Sequence, residues 1–286
     1  MSPQLIALYS AISYAVCIIA ARRGLKYSTP VTVTYISLII HTVTLWAAVF
    51  LTGGIPQVSA IAVILFVIGG SLQPVIRLFT YTGIEKIGAS RSYTLRATTP
   101  LFSTTIAITI LKEEASHAVL IGTALIVIGI MVISWQTDEQ SSSFRWWHLL
   151  FPLVAALLAG IVHPIRRYAL KISNEPLFFA ALVGIISLTW FVGYLSLPNT
   201  ERPVWNRKAL LPFIAAGLFE TLGILLLIIA LSFGSVVVVS PIVSTSPMWV
   251  LLGTVLFLRD LEKVSARTLL GSCYVVGGTV TISLGS

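Results

Sequence analysis

The chain has 286 residues, 57% of them hydrophobic and 10% charged, with a formal net charge of +8 and a mean hydropathy of +0.97. Soluble domains carry about 25% charged residues, so an ordinary soluble domain is excluded. In so apolar a chain the positive balance reports loops that face the cytoplasm, not a nucleic-acid or acidic soluble partner.

Ten apolar runs reach the ~20 residues that a helix needs to cross the hydrocarbon core. The first five fall at 5–21, 31–51, 60–82, 88–111 and 118–135. No basic residues precede the first run and Arg22, Arg23 and Lys26 follow it, so it reads as a retained span and not as a cleaved signal peptide. A polar stretch, 136–147, follows the fifth run. The second five fall at 149–170, 177–197, 209–231, 235–258 and 268–284. The runs are long and continuously apolar, which favours helices over barrel strands. Cys17 and Cys273 lie inside apolar runs and are expected to be free and buried, with no disulfide, metal site or cofactor.

The chain repeats itself. Arg22-Arg23-Gly24-Leu25-Lys26 has a near copy in Arg166-Arg167-Tyr168-Ala169-Leu170-Lys171, and Thr98-Thr99-Pro100 recurs as Thr245-Ser246-Pro247. Phe66, Gly70, Leu78, Pro100 and Lys112 register without a gap on Phe213, Gly217, Leu225, Pro247 and Arg259. Two five-span units, 1–135 and 148–286, are therefore expected on either side of the linker 136–147. An odd number of crossings places the second unit in the opposite orientation. The expected fold is an all-α integral membrane protein of ten transmembrane helices, arranged as two inverted five-helix repeats around a central cavity.

No Walker loop, His-Glu-x-x-His or Gly-x-Ser-x-Gly is present. No loop is long enough for a catalytic head, so an enzyme is not expected. Polar side chains inside spans are costly and mark function by default. Arg96 sits near the middle of the fourth span, and its planar fork suits a carboxylate or phosphate. Glu220 is the acid deepest in any span. It suits a pairing with Arg96 or Arg77, a proton-coupling role, or contact with a substrate amine. Gln73 precedes Pro74, which frees a backbone carbonyl. Arg77 lies near a span end, where snorkelling to the interface is slightly favoured. Tyr93, Thr99, Ser244 and Trp249 lie in the two most polar spans, the fourth and ninth. The expected substrate-binding set is thus Arg96, Glu220, Gln73, Arg77, Tyr93, Thr99, Ser244 and Trp249. Glu220, His41 and His163 are the candidates for proton coupling, although a lone intramembrane histidine more often bonds between helices. Across the register Arg96 faces Val243, Arg77 faces Ile224 and Gln73 faces Glu220. One half brings cations and the other an acid, which suits a zwitterion or an anion.

The blocks Gly88-Ala89-Ser90, Thr98-Thr99-Pro100-Leu101-Phe102-Ser103, Leu111-Lys112-Glu113-Glu114 and Gly122 to Gly129 resemble the drug/metabolite transporter superfamily, in its EamA-like branch. The second copy runs through Phe233-Gly234-Ser235, Ser246-Pro247, Phe257-Leu258-Arg259-Asp260, Gly271 and Gly277-Gly278, with Asp260 where a glutamate is usual. The resemblance implies export or exchange of small metabolites without ATP, in a cell membrane, with the lipid bilayer and a small-molecule substrate as partners. A monomer is expected, with a dimer left open. A flippase for a lipid-linked or phosphate-bearing anion is the alternative. Both termini fall on one side. Twelve basic loop residues lie on the opposite side against four on theirs (Lys112, Arg166, Arg167 and Lys171). That places the termini outside by the positive-inside rule, whereas the resemblance implies cytoplasmic termini.

Overall fold

The computed structural model describes residues 2–112, 116–134, 145–258, 260–261, 266, 270–271, 273–274, 277–278 and 281. Its helices are α1 (Pro3–Leu25), α2 (Pro30–Leu51), α3 (Ala60–Ile87), α4 (Ala89–Arg96), α5 (Thr99–Thr109) and α6 (His117–Ser134) in the first half. After a 3-10 turn at Trp146–Leu149, the second half contains α7 (Leu150–Ile172), α8 (Pro176–Leu195), α9 (Arg207–Phe233), α10 (Val236–Val243) and α11 (Ser246–Phe257). Among the described residues, seven helical stretches are long and apolar enough to cross a membrane. The linker, except residues 145–147, and most of the tenth expected span lie outside the described residues.

Prolines open several of these helices. Pro3, Pro30 and Pro176 occupy first-turn positions, where the missing N–H costs nothing. Ser2 and Thr29 cap the first two, accepting from the backbone N–H groups of Leu5 and Thr32.

The fourth and ninth spans differ from expectation: each is two helices, not one. The cause is the paired Thr-Thr-Pro and Thr-Ser-Pro sequences. A proline lacks the N–H that would bond the carbonyl four residues earlier and clashes with it. Pro100 therefore frees the Arg96 carbonyl, and the Thr99 hydroxyl donates to it at 2.8 Å. Pro247 frees the Val243 carbonyl, and the Ser246 hydroxyl donates to it at 2.5 Å. The Thr98 and Thr245 hydroxyls add a second donor, beside their own backbone N–H groups, to the carbonyls of Leu95 and Ile242, at 2.9 and 2.8 Å. The Thr99 and Ser246 hydroxyls replace the missing backbone donors, so both breaks persist where water is scarce. The same chemistry occurs at Pro74: the carbonyl it frees, that of Gly70, accepts from Ser187 of α8 at 2.9 Å.

Four helices of the first half match four of the second. α1 and α7 begin at Pro3 and Leu150, α3 and α9 at Ala60 and Arg207, α4 and α10 at Ala89 and Val236, and α5 and α11 at Thr99 and Ser246, a constant interval of 147 residues. Packing between the halves is reciprocal. α1 lies on α9 as α7 lies on α3; α2 lies on α9 as α8 lies on α3; α1 lies on α11 as α7 lies on α5; α2 meets α8. Interlocking of this kind buries an apolar core shared by both halves. At its centre Phe66 and Phe179 stack with ring centroids 4.3 Å apart.

Small residues set the closest approaches. A Cβ on Gly160 of α7 would come within 2.4 Å of Phe102 Cβ and 3.2 Å of the Thr99 carbonyl oxygen on α5. One on Gly278 would lie 2.5 Å from the Gly122 carbonyl oxygen of α6. Cys17 is buried as expected, but Cys273 is exposed.

Candidate functional site

Both helix breaks border one central cavity. Its walls come from α1, α3, α4, α5, α7, α9, α10 and α11, so both halves contribute. Each break sets the carbonyl end of one half-helix beside the amide end of the next. Their opposed partial charges largely cancel, and side chains are left to set the field in the cavity.

Gln73, Arg77, Tyr93, Arg96, Thr99, His163, Glu220 and Ser244 all line this cavity. Two expected residues do not. Trp249 packs on the apolar cluster around Phe213 and Val250, because α11 turns that face toward α1. His41 lies behind the wall, as a partner of Arg77.

Arg77 does not snorkel. It is 2% exposed, because three partners draw it inward. Its Nε lies 3.0 Å from Glu220 Oε1, its Nη1 donates to Ser37 Oγ at 2.9 Å, and its Nη2 lies 3.0 Å from His41 Nδ1. An arginine nitrogen only donates, so His41 Nδ1 accepts. The other ring nitrogen, Nε2, then carries the proton and donates to the Ala180 carbonyl at 3.0 Å. The second oxygen of Glu220 accepts from the Tyr81 hydroxyl at 2.6 Å, and Cys17 Sγ stands 3.5 Å behind that hydroxyl. The Arg77–Glu220 pair ties α3 to α9, and its charges neutralise each other.

Arg96 ends α4 at the break. Its side chain donates to Thr99 Oγ1, the same hydroxyl that satisfies the Arg96 carbonyl. Among the described residues it has no acidic partner.

Arg166 is the site residue that sequence reasoning placed wrongly. The Arg-Arg copy assigned it to a loop on the termini side. The structure puts it inside α7, 2% exposed, with Nη2 donating to Gln73 Oε1 at 2.9 Å. Arg166, Gln73, Arg96, His163 and Tyr14 line an extension of the cavity. The signal was present: at the interval of 147 residues Arg166 matches Ile19, one helical turn inside α1, and not Arg22. By the carbonyl it contacts, and not by register, which sets Arg167 over Ala20, the counterpart of Arg22 is Arg167. Arg22 donates to the Ile84 carbonyl near the end of α3, and Arg167 donates to that of Leu231, the matching position near the end of α9, at 2.7 Å. Cations at helix C-termini are favourably placed. Tyr14, Cys17, Thr80 and Tyr81 also line the cavity and were not foreseen. A hydroxyl or thiol within an apolar run gives no sign of the direction it faces.

A bundle of apolar helices around a buried polar cavity defines a multi-pass membrane protein. The chain belongs to the EamA-like transporter family, whose model matches residues 1–135 and 145–284. It is thus a membrane transporter of the drug/metabolite type. No curated protein matches the sequence. A solved structure described only as "Crystal structure of protein" shares the fold, with a TM-score of 0.73 and 15% identity over 99% of this chain and 96% of that one.

Proposed function

We propose that this protein is a secondary transporter that exports or exchanges a small polar metabolite, amino-acid-like or an organic anion, by alternating access. The path is the central cavity between two inverted five-helix repeats, residues 1–135 and 148–286, joined by the linker 136–147. Ten crossings set both termini on the same side of the cell membrane. The observation that carries this reading is the position of the cavity: it opens where α4/α5 and α10/α11 break, at matched positions of the two halves. Interrupted helices at corresponding positions are the usual setting of a transport site. Arg96, Gln73, Tyr93, Thr99 and Ser244 are the proposed substrate contacts, with Arg77 and Glu220 as the charged wall and His163 as a further polar group facing the site.

Counterflow in liposomes tests the proposal. Vesicles loaded with an unlabelled mixture of amino acids and organic acids should accumulate a labelled member of that mixture from outside. Arg96→Ala should abolish this while leaving a monodisperse, folded protein. Wild-type counterflow by Arg96→Ala would remove the cavity from the mechanism.

A further inference from the structure

The cavity carries more positive charge than its acids balance. Arg77, Arg96 and Arg166 face one carboxylate among the described residues, that of Glu220, and Arg77 already takes it. Arg96 is held by a hydroxyl and Arg166 by the neutral amide of Gln73. Neither interaction cancels a charge. A buried guanidinium without a counter-ion is strongly unfavourable and calls for an anion or water to solvate it. The Nε–H of Arg166 is buried with no hydrogen-bond partner among the described residues.

Internal symmetry sharpens the point. Gln73 and Glu220 occupy matched positions in α3 and α9, and each holds an arginine from another helix or turn of the bundle. In one half the holder is charged and the pair is neutral. In the other the holder is an amide, and the charge of Arg166 remains unbalanced. Across the narrow extension of the cavity, Arg166 and Arg96 are the two cations on the wall.

We infer that the transported solute is an anion, a small carboxylate or phosphate, whose negative group is received between Arg96 and Arg166. Each guanidinium offers free N–H donors in a fork that matches either group. Gln73 is a specificity-determining residue: its amide aims Arg166 without neutralising it. This inference rests on the transport reading above, but it can fail separately.

The test uses the purified full chain. Thermal stabilisation in detergent is measured with succinate, inorganic phosphate, alanine and a short-chain phosphatidate, and counterflow is measured with the same solutes in liposomes. Succinate or phosphate should stabilise at concentrations well below alanine. Gln73→Glu supplies the missing counter-charge. It should fold at least as stably as the parent, yet weaken apparent succinate affinity roughly tenfold or more, the scale of one lost charge-assisted bond. Arg166→Gln should do likewise, and Arg166→Lys should retain most of the binding. An unchanged anion response in Gln73→Glu, or stabilisation led by alanine, overturns the inference. Stabilisation by phosphatidate alone upholds the anion site and assigns it to a lipid headgroup, against transport of a small solute. Anion binding without counterflow of any solute also upholds the site and removes the transport reading. Counterflow of alanine with no anion response leaves transport standing and removes the anion.

Discussion

Arg77 of α3 and Glu220 of α9 form a buried ion pair across the two halves, with Nε 3.0 Å from Oε1 and side chains 1% and 9% exposed. Both ends have further partners: Ser37 and His41 meet the other two guanidinium nitrogens, and Tyr81 donates to the second carboxylate oxygen. The pair is mutually neutral and sits in the cavity wall, and it fixes the distance between helices that belong to different repeats.

Removing one partner strands a buried charge. Glu220→Ala or Arg77→Ala is therefore expected to destabilise the protein by about 3–5 kcal/mol, while Arg77→Leu combined with Glu220→Leu recovers much of that loss. Chemical denaturation in detergent measures all three. A double variant less stable than either single one contradicts this account of the pair.

The hydroxyls at the breaks stand in for missing amide donors. Thr99→Val and Ser246→Ala each leave a carbonyl unpaired and should cost about 1–2 kcal/mol, with Thr99→Ser close to neutral. The effect should be larger at Thr99, whose hydroxyl also receives the Arg96 side chain, than at Ser246, where Val243 stands in place of Arg96. Thermal unfolding of the three variants is the check.

Gly160 of α7 and Gly193 of α8 have opposite surroundings. A Cβ at Gly160 meets the backbone and Cβ of α5, which cannot swing aside, while one at Gly193 meets nothing within 4 Å. Gly160→Ala should separate α7 from α5 and cost about 1–3 kcal/mol. Gly193→Ala should be neutral or stabilise by up to about 1 kcal/mol, since alanine is the better helix former. Parallel melting curves decide it, and equal effects of the two substitutions would disprove the close approach.

His41 is bound at both ring nitrogens, as acceptor from Arg77 and donor to Ala180. A glutamine amide supplies one acceptor and one donor in the same sense. His41→Gln is expected to retain flux and to leave its pH profile unmoved. A shifted pH optimum in that variant would make His41 a proton carrier after all.

Much of the architecture was legible because apolar length and repeat register are sequence properties. The interval linking Gln73 to Glu220 also links the starts of α3 and α9. The helix breaks were half legible: Pro100 and Pro247 were visible, but drawing each span unbroken hid that Thr99 and Ser246 satisfy the freed carbonyls. The site was legible where a residue is costly to bury, as at Arg96 and Glu220. It failed at Arg166, where local similarity to the Arg22-Arg23 pair outweighed the global register and turned an intramembrane cation into a loop charge. It failed also at Trp249, because composition places a residue on a helix but not on one of its faces.

The central claim is that the cavity at the two breaks is the transport path and opens to each side in turn. Ser244→Cys, in a chain with Cys17→Ala and Cys273→Ala, places one thiol at the second break on the cavity wall. Oriented vesicles are treated with a membrane-impermeant thiol reagent from one face or the other. The account predicts modification from either face and loss of counterflow once the thiol is modified. Modification from one face alone, or full counterflow by the modified protein, would contradict it.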